Sequence, residues 1–72
     1  MERYANLSGN SPISHFQIES DRIIVWFKGS KSYSYSNGRA GQGHVETMKS
    51  LARSGSGLCA YITRNVRNDY DK

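Results

Sequence analysis

The stretch KSYSYSNGRA, residues 31 to 40, sets Tyr33 and Tyr35 two positions apart between Lys31 and Arg39, with Trp26 and Lys28 just upstream. Aromatic rings interleaved with cations suit single-stranded nucleic acid. Bases of any identity stack on the rings, and Lys and Arg neutralise the phosphates. Trp26, Lys28, Lys31, Tyr33, Tyr35 and Arg39 are therefore the candidate nucleic-acid-binding residues of the central segment. Arg64 and Arg67, three apart, fall on neighbouring turns of a helix and extend the set, with Lys49 and Arg53 of a preceding helix as a further phosphate track. The same residues have a plainer use. A small sheet buries tyrosines with their hydroxyls at the rim, and cations on helices form a solvated face.

Other patterns carry less chemistry. GRAGQGHV has the GxxxxG spacing of a phosphate loop, but His44 and Val45 follow where Lys and Ser or Thr are needed, and no parallel βαβ unit precedes it. Its amides could still hold a phosphate at a helix start, although glycines more simply serve a turn. His15, His44 and Cys59 lack the close pairing of zinc ligands. Nothing places a base beside Cys59, and the carboxylates are dispersed, so neither catalysis, nor a metal, nor a cofactor is expected.

Seventy-two residues make one domain, and a chain of this size leaves roughly 40% of its unfolded surface exposed. Ten Lys and Arg against six Asp and Glu give a net charge of +4. The excess is concentrated in residues 22 to 55, where Arg22, Lys28, Lys31, Arg39, Lys49 and Arg53 face Glu46 alone, a local +5. Such a surface attracts anions, RNA among them. The single Cys59 forms no internal disulfide, which suits a reducing compartment. The longest apolar run, Ile23 to Phe27, is too short to cross a bilayer, and the opening residues do not resemble a secretion signal. A cytoplasmic location without membrane contact is expected.

The elements that must position the candidate residues follow from periodicity. Residues 1–12 show none and read as a flexible N-terminal arm, residues 13–70 as the domain, and 71–72 as a tail. ISHFQIE and RIIVWFK are strands joined by a turn at Ser20-Asp21. A two-residue type II′ turn at Gly29-Ser30 would pair Lys28 with Lys31, setting Trp26 opposite Tyr33 and Ile24 opposite Tyr35 on one aromatic face. Phe16, Ile18, Ile23, Val25 and Phe27 then form an aliphatic face. A loop one residue longer would turn the tyrosines over. NGRAGQG is a connector. HVETMKSLAR places Val45, Met48, Leu51 and Ala52 at helical spacing, with Glu46 in the first turn and Gly55 as the stop. Ser56 is the expected N-cap of a second helix striped by Leu58, Tyr61, Ile62 and Val66. Tyr70 either packs back or stays loose. The expected fold is α+β: a three-stranded antiparallel β-meander packed against two C-terminal α-helices, βββαα.

The order of these pieces, the YSY at 33 to 35, GHVETMKSLA, and GLCAYITRNVR with Gly57, Leu58, Tyr61, Ile62, Val66 and Arg67, resembles the KTSC domain. That family is named for its place at the C-terminus of some lysyl-tRNA synthetases and includes short single-domain bacterial proteins. The resemblance spans about residues 11 to 70. Cys59 stands where asparagine is commoner, and the connector lacks the usual proline. The resemblance implies no established activity and suggests RNA binding.

Two functions are thus expected of the sequence: weak RNA binding through the basic, aromatic sheet face, or protein interaction, including a homodimer, through that face or the edge of the third strand. Exposure of Trp26, Tyr33 and Tyr35 discriminates between them.

Overall fold

The computed structural model describes residues 1–7, 9, 11–29 and 31–71. Its strands are β1 (Glu2–Arg3), β2 (Ile13–Glu19), β3 (Arg22–Phe27) and β4 (Ser32–Ser36), forming one antiparallel sheet in that order. The helices are α1 (Asn37–Ala40), α2 (Gln42–Ser54) and α3 (Leu58–Tyr61), the last running on into a π-helical stretch, Ile62–Val66. The architecture is α+β, as expected, with one strand more and an additional helical turn, Asn37–Ala40, in the first half of the expected NGRAGQG connector.

The two-residue bend at Ser20-Asp21 forms as expected, because Glu19 pairs with Arg22, Ile18 with Ile23, and Phe16 with Val25. Phe16, Ile23 and Val25 are buried and face the helices, where Val45, Met48, Ala52, Leu58, Ile62 and Val66 complete the core. Strand alternation on the sheet and helical spacing on α2 therefore meet at one apolar layer.

The second bend overturns the expected register. Val25 lies opposite Tyr33 and Ile23 opposite Tyr35, not Trp26 opposite Tyr33 and Ile24 opposite Tyr35. The physical reason lies in Lys28. Its N–H donates to the Pro12 carbonyl on the β2 side (2.7 Å), so the hairpin closes one residue earlier, with the Phe27 N–H on the Lys31 carbonyl (2.7 Å). Three residues then form the loop; Gly29 takes φ +93°, and Ser30 of the expected turn lies outside the described residues. Because strand side chains alternate, that single extra residue moves both tyrosines to the helix-covered face and leaves Trp26 on the other. Tyr35 is only 2% exposed, and Tyr33 packs edge-on against Phe27 with ring centroids 5.6 Å apart.

The first residues are part of the fold rather than an arm. Glu2 pairs with Phe16 and Arg3 with His15, and Tyr4 is 4% exposed in the core. Burial of that ring holds β1 in place; the strand itself has too few residues to be seen as a period. Asn6 closes the following loop, accepting from the Ser11 N–H (3.1 Å) and donating to the Ser11 carbonyl (3.3 Å), while the Leu7 N–H donates to the Gly55 carbonyl (2.8 Å).

Gly55 ends α2 in the left-handed conformation, φ +78°, as expected. The start of α3 departs from expectation. Gly57, not Ser56, precedes the helix, and no side chain caps it in the usual way. The Leu58 N–H instead donates to the Tyr4 hydroxyl (3.4 Å), so the residue just after the first strand takes the part expected of a serine. Glu46 sits in the second turn of α2 and pairs with Lys49.

Candidate nucleic-acid interface

The helices cover one face of the sheet and leave the other open. Residues directly opposite in an antiparallel pair share a face, so the registers define the open face in rows. Arg3, His15, Trp26 and Ser32 form one row across all four strands. Gln17, Ile24 and Ser34 form the next, and Glu19, Arg22 and Ser36 the last. Trp26 and His15 are half-buried, and Arg3 is exposed. A bulge between Ile13 and His15 brings the Ser14 hydroxyl within 3.2 Å of the Trp26 carbonyl, to which it donates, and within 3.1 Å of His15 Nδ1.

Charge is segregated along this face. At the far end Arg22 lies 3.3 Å from Asp21, 3.9 Å from Glu19 and 3.5 Å from Asp71, and its guanidinium holds the Asp21 carboxyl below the usual carboxylate range. At the Trp26 end Arg3 lies in the Trp26 row and Lys28 follows at the hairpin bend, both exposed, whereas Lys31, also exposed, stands opposite Phe27 and so falls in step with Tyr33 on the other side. None of these three enters an ion pair among the described residues. One end of the open face is thus neutralised, and the other keeps its positive charge beside an indole.

The remaining candidate residues divide among other surfaces. Tyr33 and Tyr35 belong to the covered face, where they line a cleft of about 310 Å³ with Tyr70, Cys59, Ile62 and Arg67. Burial, aided by neighbouring Tyr33 and Tyr70, pushes the Tyr35 phenol up to about 12. Arg39 on α1 and Arg64 on the π-helical stretch are exposed, and neither lines the cleft or the Trp26 row. Lys49 leaves the expected helix track altogether: it is 6% exposed, and its ammonium donates to Glu46 (3.0 Å) and to the Ser20 carbonyl (3.4 Å). The common platform of Trp26, Tyr33 and Tyr35 is therefore not formed.

Arg3 and His15 take the places expected of the tyrosines. His15 was legible in ISHFQIE, whose alternation puts it opposite in sense to Phe16; Arg3 was not, because only the buried Tyr4 reveals that β1 exists. A second missed signal is the spacing of Ser32, Ser34 and Ser36, which gives the open side of β4 a hydroxyl strip. His44 Nδ1 meets the Tyr61 hydroxyl at 2.6 Å and ties α2 to α3. Among the described residues no three His, Cys, Asp or Glu side chains converge as a metal site would require, and no helix is long and apolar enough to cross a membrane. No family model, curated protein or solved structure matches the chain.

Proposed function

We propose that the chain is a small non-enzymatic KTSC-like module that binds single-stranded RNA weakly on the open face of its sheet. A base stacks on Trp26, with His15 beside it, and Arg3 and Lys28 neutralise the adjoining phosphates. The observation that carries this reading is the row Arg3, His15, Trp26, Ser32 on the helix-free face, at the end where the cations form no ion pair among the described residues. The resemblance to the KTSC family supports it from the sequence side. Tyr33 and Tyr35 serve the cleft beneath the sheet and take no part in the stacking.

Titration of Trp26 fluorescence with single-stranded RNA tests it. Two phosphate contacts give a slope of about −1.4 in log affinity against log salt, so binding weakens roughly seven-fold between 50 and 200 mM. Trp26→Ala removes the only tryptophan and is therefore followed by the anisotropy of fluorescein-labelled RNA, where it should cost a stacking contribution of about 1–3 kcal/mol, whereas Tyr33→Phe leaves binding unchanged. Absence of quenching at every salt concentration, with the protein folded, overturns the reading.

A further inference from the structure

We infer that the outer edge of β4, with the aromatic cleft beneath it, is a docking groove for an extended segment of a partner protein carrying an aromatic residue followed by an aspartate. The chain's own Tyr70-Asp71 occupies that groove in this structure.

The edge is defined by the hydrogen bonding of β3 and β4. Opposite residues in an antiparallel pair alternate between exchanging backbone hydrogen bonds and exchanging none. The Phe27 N–H donates to Lys31 and the Asn37 N–H to Asp21 (2.8 Å), so Tyr33 and Tyr35 belong to the bonded pairs. The backbone groups of Ser32, Ser34 and Ser36 consequently point away from the sheet. A strand edge of this kind accepts an added segment through its main chain and chooses among segments through alternate side chains.

Tyr70 and Asp71 behave as the beginning of such a strand. The Asp71 N–H donates to the Ser34 carbonyl (2.7 Å). Its carboxylate accepts from the hydroxyls of Ser36 (2.8 Å) and Ser34 (3.3 Å) on the open face and lies 3.5 Å from Arg22 Nη1. Tyr70 points the other way, edge-on to Tyr33 at 4.8 Å and to Tyr35 at 6.5 Å. Successive side chains thus straddle the sheet, as in a strand, with a ring below and a carboxylate above. Each finds complementary chemistry. The ring does not fill its side of the groove, since the cleft beside it holds about 310 Å³, within the range of sites that take ligand groups, and Arg67 stands at its rim. A partner segment reaches further, placing another side chain in that space and continuing along the edge to Ser32.

Because Tyr70-Asp71 is tethered, it competes at an effective concentration of about millimolar, and a free peptide gains access chiefly when the tethered segment is weakened. The probe is a fluorescein-labelled synthetic peptide RNDYDK, the sequence of residues 67–72. Its anisotropy is followed against the full 72-residue chain and its Y70A/D71A variant. The variant is expected to bind the peptide at least ten-fold more tightly than the wild type. Arg22→Ala in that background should reverse most of the gain, and Trp26→Ala should leave it intact, which separates this groove from the RNA surface. If the double variant does not fold by circular dichroism, Asp71→Ala alone keeps Tyr70 on the core and should show a several-fold gain. Equal affinity of the wild type and the folded variant, or indifference to Arg22→Ala, overturns the proposal. So does displacement of the peptide by single-stranded RNA. A wild-type dimer lost in Asp71→Ala would assign the groove to a second copy and overturn the partner assignment.

Discussion

Substitution of Gly55 by alanine tests whether residues 1–7 are part of the fold. Gly55 sits at φ +78°, and a Cβ there would stand 2.6 Å from Ala5 Cβ and 3.4 Å from Leu7 Cγ. The left-handed conformation alone costs an L-residue about 1–2 kcal/mol. Carbon atoms rest near 3.5–4.0 Å, so the Ala5 contact also forces a displacement of roughly 1 Å. That shift threatens the Leu7–Gly55 hydrogen bond at 2.8 Å, worth about 1 kcal/mol, and loosens the seat of Tyr4. The expected loss is about 2–4 kcal/mol in a domain whose whole stability is roughly 4–11 kcal/mol. Gly29→Ala is the control, since Gly29 has φ +93° but no atom of the described residues within 4 Å of its would-be Cβ. Only the conformational part, about 1–2 kcal/mol, applies there. In urea, with a slope of about 1 kcal/mol/M, the midpoint should fall by about 2 M or more for Gly55→Ala and by about 1 M for Gly29→Ala. Because β1 carries Arg3 into the Trp26 row, RNA binding should fall with the first variant and not with the second. Equal midpoints would refute the reasoning: the first residues would then contribute nothing that the bend does not.

Tyr35, with its phenol pushed up to about 12 from an ordinary value near 10, favours the neutral form in the folded state. Its contribution is full below about pH 10 and is lost as pH rises through 12, so urea midpoints should drop between about pH 10 and 12, less steeply in Tyr35→Phe. Glu46→Ala should destabilise more than Lys49→Met, because the first leaves the buried ammonium with the Ser20 carbonyl at 3.4 Å, whereas the second removes the charge itself; the reverse order by urea denaturation would contradict this account of the pair. Tyr61→Phe should lower stability by about 1 kcal/mol through loss of the 2.6 Å contact to His44 and leave the RNA titration untouched.

What was legible in the sequence followed from periodicity. RIIVWF, ISHFQIE and the Val45, Met48, Ala52 spacing on α2 announce a sheet face and a helix stripe, and these meet as expected. What was hidden depended on contacts between distant parts of the chain. The hairpin register turned on Lys28 bonding back to Pro12, which no inspection of KGSK discloses, and one residue there decided the fate of both tyrosines. β1 exists because Tyr4 reaches the amide of Leu58, and Lys49 is buried because the β2–β3 bend offers it the carbonyl of Ser20. The candidate site shows the same division. Trp26 and Lys28 were visible in the local pattern, whereas Arg3 was brought to them by tertiary pairing.

The hydroxyl of Tyr4 and the amide of Leu58 are 54 positions apart. During synthesis β1 therefore waits for a segment 54 residues further along the chain to emerge. Closing so long a loop is entropically slow, so the central hairpin and α2 can organise while the opening residues remain undocked. Since β1 delivers Arg3, the basic row acquires its full charge only once Leu58 has emerged, and a shorter nascent chain does not present it.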